Sequence, residues 1–276
     1  MNPKLTQKIA SLVLGSAVVI TLSALVFIIF YILYHGLPLV SLEFLTNPIR
    51  EMGKSGGIFP TIVSTCLLAI ISIFIAAPLG IGTAVFLTEY TRENVITKII
   101  RFTTDCLAGI PSIIFGLFGF VFFVIYLGLG WSILSGSLTL AFMMLPTIIR
   151  TSEEAIRAVP KSYQEVTYGL GGSKWQSITQ IILPKAMPGI LTGIILSVGR
   201  AVSETAALIF TAGISLHTPV SIFSSGRSMA VHFYTIAREG ISMPMAFATA
   251  AVLIITVLMI NIVSYFLMNR FLRRYA

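Results

Sequence analysis

Residues 163–184, YQEVTYGLGGSKWQSITQIILP, form a polar, glycine-broken stretch between two strongly hydrophobic blocks, and the rest of the chain is arranged around it. The pattern predicts a short amphipathic helix with Glu165 near its start, a flexible turn at the glycines, and a second helical piece. We expect this second piece to end at Pro184, because proline has no backbone N–H to donate within a helix.

The second helical piece has its large apolar residues at helical spacing: Trp175, Ile178, Ile181 and Ile182. Stripes with this period are usually buried against other helices of the same chain. In a helix–turn–helix outside the bilayer, the same stripe could instead form a compact apolar surface for a partner. The residues alone leave both interpretations open.

The composition excludes an ordinary soluble domain. The 276 residues have a mean hydropathy of +0.96, with 56% hydrophobic and 10% charged residues, whereas soluble domains carry about 25% charged residues. Cys66 and Cys106 lie in or beside apolar segments without metal-ligand spacing, so we expect packing residues rather than a disulfide or a zinc site. The net charge of +8 lies in short loops and therefore indicates topology rather than nucleic-acid binding.

Six apolar segments predict an all-α, polytopic membrane protein with six transmembrane helices. We divide the chain into residues 1–58, a first span with an extracytoplasmic loop, and residues 59–276, a membrane domain with a cytoplasmic loop at about 150–187. A polar loop is expected before the last span. The predicted spans are residues 9–34, 58–87, 102–129, 131–149, 188–213 and 244–268.

The distribution of cations predicts the orientation of these spans. With six spans in alternation, one side of the membrane receives 13 of the 18 Lys and Arg residues and the other side receives 4, with Arg200 inside a span. Because positive residues accumulate in cytoplasmic loops, both termini and the loop at 150–187 are predicted to be cytoplasmic.

Arg200 and Glu204 lie midway along the apolar segment 189–213. A charge at that depth costs roughly 2.5 to 3.5 kcal/mol on insertion scales, so it must face protein, water or an opposite charge. Their spacing predicts one shared helix face, which Ser197 and Thr211 would roughly share. The pair is either an internal salt bridge or an anion site in a water-filled path, with Glu204 orienting the arginine fork. We favour the anion path, because ionisable residues inside membranes usually mark substrate routes.

Three other motifs carry no chemistry in our interpretation. Residues 53–55, Gly-Lys-Ser, end like a phosphate-binding loop, but Pro48 stands where that motif needs its first glycine. Glu153-Glu154 is interpreted as a solvated charge cluster at a helix start. The histidines are all expected in extracytoplasmic loops, at positions 35, 217 and 232, so no metal site or catalytic residue is predicted.

Beyond these patterns, residues 163–184 resemble the conserved cytoplasmic loop of ABC importer permeases, in which Glu-Ala-Ala is followed by Gly and by Ile-x-Leu-Pro. Val166 and Thr167 replace the two alanines of the family pattern. In that family the loop is a coupling helix that docks into a separate ATPase subunit. The resemblance implies an ATPase-coupling role for Glu165, Gly171, Gly172, Ile181, Leu183 and Pro184.

Three further segments are similar to phosphate ABC transporter permeases of the PstA type: GIPSIIFGLFG (109–119), SLTLAFMMLPTIIRTSEEAIRAVP (137–160) and GRAVSETAALIFTAG (199–213). Ser203 stands where the family often has Gly, and Ala207 stands where it often has Pro.

The resemblance implies a MetI-like permease fold and half of a phosphate pathway in the inner membrane of a prokaryote. The implied partners are a homologous permease of the PstC type, two ATPase subunits of the PstB type and an extracytoplasmic phosphate-binding protein. ATP and Mg²⁺ would bind to the ATPase, so this chain would need no cofactor and have no enzymatic activity of its own. Transport would follow alternating access driven by ATP.

Three other functions are each compatible with part of the sequence. A permease for sulfate or molybdate is compatible with Arg200, because a guanidinium fork binds any tetrahedral oxyanion. A proton-coupled secondary transporter would use Glu204, Asp105 and Glu165 as a relay, but such carriers commonly show internal repeats, and no clear repeat is visible. An intramembrane enzyme is disfavoured, since no Ser/His or metal-ligand cluster lies at membrane depth.

Overall fold

The computed structural model describes residues 3–92 and 94–272, and almost all of its regular structure is helical. The helices are α1 (Pro3–Gly36), α2 (Leu42–Thr46), α3 (Phe59–Val85), α4 (Val95–Ala108), α5 (Ser112–Gly119), α6 (Ile133–Arg157), α7 (Ser162–Gly169), α8 (Lys174–Ser177), α9 (Leu183–Val202), α10 (Ala206–Thr211), α11 (Met229–Arg238) and α12 (Met243–Leu272). Wider π-helical turns extend α3 through Phe86–Tyr90 and α5 through Phe120–Tyr126, and join α8 to α9 through Ile178–Ile182.

A small antiparallel hairpin connects α2 to α3. Its strands are β1 (Ile49–Arg50) and β2 (Ser55–Gly56), with Ile49 opposite Gly56 and Arg50 opposite Ser55. The tip of the hairpin includes Met52 at φ 59°, so residues 53–55 form the end of a tight turn and the start of β2, and not a phosphate-binding loop.

Among the described residues, five helical segments are long and apolar enough to cross a membrane: Ile9–Leu39, Phe59–Tyr90, Ile133–Arg157, Lys174–Val202 and Met243–Phe266. The third predicted span, residues 102–129, is not one helix. Val95–Ala108 and Ser112–Tyr126 meet at an angle of 102°, because Pro111 lacks an N–H and disfavours a helical conformation at the residue before it. Six spans are reached only if this bent pair crosses as one.

The fifth span differs from its prediction at both ends. Its helix begins at Lys174 and ends at Val202, so the predicted boundary at Pro184 and the predicted span 188–213 are wrong. In the π turn the N–H of Leu183 bonds the carbonyl of Ile178. Where the helix changes back from π-type to α-type hydrogen bonding, one backbone carbonyl has no N–H donor. Pro184, which has no N–H, lies at this change, so its presence there removes no further hydrogen bond.

Two further expectations are corrected by the structure. The predicted polar loop before the last span contains α11, which starts where the Ser228 side chain accepts a hydrogen bond from Val231 N, and His232 is buried within it. Cys66 and Cys106 are exposed on the isolated chain instead of packed, because they lie on faces of α3 and α4 that none of the other described elements covers.

The main core lies between α3 and α6, with α5 and α10 against it; its buried residues include Leu68, Leu140, Met144, Ile148 and Leu208. A second apolar cluster joins the end of α3, the end of α6 and the start of the Lys174–Val202 helix. A glycine permits α3 and α6 to approach closely, because a Cβ on Gly80 would lie 2.6 Å from the Ile148 side chain. Close backbone approach through small residues is how helices associate where lipid surrounds them.

Candidate coupling surface and translocation path

The predicted coupling residues surround a two-helix turn between α6 and the Lys174–Val202 helix. Glu165 lies in the first turn of α7 and is exposed. Gly171 has a φ of +78° and no atom within 4 Å of its Cβ position, so its glycine is required by the backbone and not by packing. Ser173 then caps α8 through a reciprocal pair of hydrogen bonds with Gln176.

The structure divides the apolar stripe of this loop into a buried and an exposed part. Ile178 and Ile182 are each 1% exposed and belong to the second core cluster, so for these two the interpretation as own-chain core is correct. Trp175 is 65% exposed and Leu170 is 85% exposed. Together with three residues of α7 they form what we call the α7 patch: Tyr163, Val166, Tyr168, Leu170 and Trp175.

The remaining predicted coupling residues lie behind this patch. Ile181, Leu183 and Pro184 are half-buried in or just after the π turn. Gly172 packs against Thr167 of α7, where a Cβ would lie 2.7 Å from the threonine methyl group. These four residues therefore shape and support the turn, whereas Glu165 and the α7 patch face outward.

A contact that the sequence did not reveal ties α7 to the end of α3. The Gln164 side-chain amide donates to both carboxylate oxygens of Glu89, at 3.1 and 3.2 Å. The Lys174 ammonium donates to the Glu89 backbone carbonyl and lies 5.0 Å from the centre of the Tyr90 ring. Gln164 and Glu89 are 75 residues apart in sequence, so no local spacing could have paired them.

The acidic pair Glu153-Glu154 lies in the last turn of α6 and not at a solvated helix start as expected. Glu153 is buried, with Arg101 of α4 at 2.6 Å and Arg157 at 2.9 Å. Glu154 is exposed and pairs with Arg150 at 3.3 Å. The expectation failed because α6 runs eight residues beyond the predicted span end at 149, which brings Glu153 against α4.

Asp105 of α4 joins this network, because its carboxylate lies 3.0 Å from the Arg150 guanidinium. A cavity of about 180 Å³ lies between α4 and the end of α6, with residues of both ion-pair groups in its wall. Each acidic side chain in this wall has an arginine partner. We therefore interpret the residues around the cavity as structural contacts between the two helices.

Arg200 and Glu204 do not share a helix face, contrary to the expectation from their spacing. The helix ends at Val202, where the Ser203 hydroxyl bonds back to the Gly199 carbonyl. Arg200 is exposed, whereas Glu204 is 8% exposed and its carboxylate accepts a hydrogen bond from Ala207 N at 3.2 Å. Within residues 3–92 and 94–272 the two residues form no ion pair.

The two hydroxyl residues predicted beside this pair are buried on either side of the break. Ser197 donates to the Gly193 carbonyl at 2.9 Å, and Thr211 donates to the Ala207 carbonyl at 2.8 Å. Both hydroxyls therefore satisfy their donor within the helix. Residues 203–205, which are not helical, separate α9 from α10. Arg200 is exposed and lies two residues before the end of α9.

The described part of the chain holds no group of three or more His, Cys, Asp and Glu side chains arranged for a metal ion. The described helices form an apolar bundle with a short, exposed helix pair, α7 and α8, at one end. Residues 76–276 match the family described as binding-protein-dependent transport system inner membrane component. The chain belongs to this family and is an inner membrane component of an ABC transporter.

The full-length relatives support the same assignment. The chain is 36% identical over 284 residues to the probable ABC transporter permease protein YqgI of Bacillus subtilis, covering 97% of this chain and 96% of the relative. It is 32% identical to the phosphate transport system permease protein PstA of Pasteurella multocida, covering 94% and 93%. The resemblance to PstA-type permeases is thereby confirmed.

Solved structures confirm the predicted permease fold. A bacterial ABC transporter involved in the import of the acidic polysaccharide alginate matches with a TM-score of 0.66 at 15% identity, covering 97% of this chain and 96% of that chain. The MetNI methionine ABC transporter, in inward-facing conformations, matches with a TM-score of 0.63 at 16% identity, covering 78% and 95%. At these identities the likeness concerns the fold alone.

Proposed function

We propose that this chain is the permease subunit of an ATP-driven importer of inorganic phosphate and forms half of its translocation pathway. The observation that carries this proposal is the similarity to PstA of Pasteurella multocida over 94% of the chain. The partners would be a homologous permease of the PstC type, two ATPase subunits of the PstB type and an extracytoplasmic phosphate-binding protein. ATP and Mg²⁺ belong to the ATPase in this assembly.

The α7 patch is the proposed contact with the ATPase. It places two tyrosines, a tryptophan and two aliphatic side chains on the surface of a short helix pair, and aromatic residues of this kind dominate binding energy in protein interfaces. Glu165 is exposed in the same helix. The hydrogen bonds from Gln164 and Lys174 to Glu89 connect this surface to α3, so a force applied to α7 reaches two spans.

Arg200 is the proposed anion-binding residue of the pathway, with Ser197, Glu204 and Thr211 close to it in sequence. Its exposure on the isolated chain and its lack of a carboxylate partner among the described residues support this role. Glu204 is engaged with Ala207 N, so its contribution is to shape the break after α9 and not to neutralise Arg200.

The orientation of the chain is part of the proposal. With α7 on the cytoplasmic side, the hairpin and α11 lie outside and both termini lie in the cytoplasm of the prokaryotic cell, as the cation count predicts. Two of the cations in that count, Arg273 and Arg274, lie outside the described residues. An ATPase could reach α7 only in this orientation.

An importer for sulfate or molybdate is the alternative, and the relatives named for phosphate transport disfavour it. A proton relay through Asp105 has less support, because that carboxylate is paired with Arg150.

The proposal is tested by uptake of labelled phosphate and labelled sulfate into vesicles that contain the full complex, its binding protein and ATP. We expect ATP-dependent phosphate uptake, and we expect Arg200→Ala to reduce it at least tenfold while assembly is retained. Arg238→Ala, which removes another exposed arginine, is the matched control. Uptake of sulfate in place of phosphate would contradict the assigned substrate, and normal uptake by Arg200→Ala would remove the role given to Arg200.

A further inference from the structure

A second arginine, Arg227, lies at the end of the bundle opposite α7. It precedes α11. Met229, two residues after Arg227, donates a hydrogen bond from its backbone N–H to the Thr65 hydroxyl near the start of α3. Glu89, which holds α7, lies 24 residues further along the same helical run, a distance of about 36 Å at helical rise. Arg227 and the α7 patch therefore mark opposite ends of α3.

Arg227 is only 6% exposed, and its neighbours hold the guanidinium in one position. Nε donates to the backbone carbonyl of Ile214 at 3.1 Å, and Nη1 lies 3.3 Å from His232 Nδ1. Burial and the charge of Arg227 lower the pKa of His232 to about 4. The imidazole is consequently neutral at pH 7, and its Nδ1 accepts the hydrogen bond from the arginine.

The positive charge of Arg227 has no matching negative charge in direct contact. No carboxylate of a described residue lies within ion-pair distance of the guanidinium. Burial lowers the pKa of Arg227, and the charge of Glu239 opposes that shift from a distance. Arginine nevertheless stays protonated in proteins, and a buried charge without a counter-charge is costly. The buried positive charge of Arg227 is therefore not balanced by a carboxylate of the described residues, and an anion would balance it.

The guanidinium also keeps donors available for an anion. Nη2 has no hydrogen-bond partner among the described residues, and it is not one of the fully enclosed polar atoms that lack a partner. A cleft of about 550 Å³ is lined by Trp131, Ile209, Gly213, Ile214, Ser215 and Ser225. Ile214, whose carbonyl anchors Arg227, is part of this wall.

We propose that Arg227 binds an inorganic oxyanion at the α11 end of the bundle, before the anion passes to Arg200. This inference rests on the proposed function for the identity of the anion, which is phosphate. The planar guanidinium is held by two hydrogen bonds to the protein and presents its remaining N–H groups in a rigid fork. This geometry suits a tetrahedral oxyanion. His232 contributes by holding the fork while adding no charge of its own.

Trp131 provides a direct readout, since it lines the cleft and the sequence has only one other tryptophan, Trp175. The full chain carrying Trp175→Phe is purified in detergent, and its fluorescence is titrated with inorganic phosphate, sulfate and chloride at constant ionic strength. We expect a saturable change with phosphate and none with chloride. A saturable change with sulfate of equal affinity would confirm an oxyanion site but contradict selection of phosphate at this point.

Variants then assign the response to Arg227. Arg227→Gln should weaken the apparent phosphate affinity about tenfold or more, because a charge-assisted fork is lost. Arg238→Gln, on the exposed end of α11, should leave the affinity unchanged. If Arg227→Gln does not fold, Arg227→Lys keeps the charge without the fork and should weaken the affinity about threefold or more.

An unchanged phosphate affinity in these variants, or no saturable response in the parent chain, would overturn the proposal. So would a response that appears only on addition of the purified binding protein, since Arg227 would then pair with a protein carboxylate. The uptake assay separates this result from the proposed function. Phosphate uptake without binding at Arg227 refutes only this inference, whereas binding at Arg227 without uptake refutes only the transport assignment.

Discussion

Replacing Glu153 by glutamine tests whether the ion-pair cluster between α4 and the end of α6 holds these helices together. The amide keeps the shape of the side chain but removes the charge that faces Arg101 and Arg157. Breaking a fully buried pair costs about 3 to 5 kcal/mol. The Arg101 side chain is 24% exposed and that of Arg157 is 49% exposed, so water solvates both in part and we expect a loss of about 2 kcal/mol.

This loss corresponds to a decrease of about thirtyfold in the folding equilibrium constant. It can be measured by unfolding the purified chain in mixed micelles with increasing dodecyl sulfate, followed by far-UV circular dichroism. Glu154→Gln is the matched control, because Glu154 is the next residue, is 68% exposed and, among the described residues, forms its ion pair with Arg150 of the same helix. That variant should lose less than about 0.5 kcal/mol. Equal losses in the two variants would refute the assignment of a buried cluster.

Three further predictions concern the two ends of the bundle. The pKa of His232 falls from 6.5 to about 4 on folding, so between these two pH values the folded state binds fewer protons than the unfolded state. The neutral His232 should therefore contribute fully to stability above pH 6.5, and this contribution should decline as the pH falls toward 4. His232→Asn, whose side-chain oxygen can replace Nδ1, should remove this component, and an unchanged pH profile of thermal unfolding would show that another group causes it. Gly171→Val should uncouple ATP hydrolysis from transport in the complex, whereas Gly128→Val, at a similar φ of +67° in equally open space, should cause comparable backbone strain of about 1 to 2 kcal/mol without uncoupling; equal coupling in both variants would argue against docking at the turn. A double-mutant cycle on Gln164→Ala and Glu89→Ala should give an interaction free energy of about 1 kcal/mol in thermal unfolding, and strict additivity would mean that the contact contributes nothing.

The overall architecture was predictable because apolar length and cation distribution are strong signals in a membrane protein. The signals fail where a helix continues past a polar or prolyl residue. Glu153 was predicted to be solvated because charged residues usually mark the end of a span. Instead α6 continues past it, and its carboxylate forms ion pairs with Arg101 and Arg157. Pro184 was taken as a helix end because the sequence does not show that a π turn precedes it.

Parts of the candidate site lay beyond any local pattern. The spacing of Arg200 and Glu204 predicted a shared face only on the assumption of an unbroken helix, and no proline marks the end at Val202. The pairing of Glu89 with Gln164 depends on the packing of α3 against the α7 region. Arg227 was counted only as a cation in a polar loop, because sequence alone gave no sign that the loop folds into the bundle and buries it.

The unbroken run from Lys174 to Val202 has the proportions of a lever. Its tightest crossing is at Gly193, whose position leaves no room for a Cβ beside Thr151 of α6. Measured from that crossing, the arm toward Lys174 is about 28 Å long and the arm toward Arg200 is about 10 Å. A tilt about this point moves the end at the coupling surface almost three times as far as the arginine, and in the opposite direction. Under the proposed function, a large displacement at the ATPase contact would thus produce a smaller displacement at Arg200.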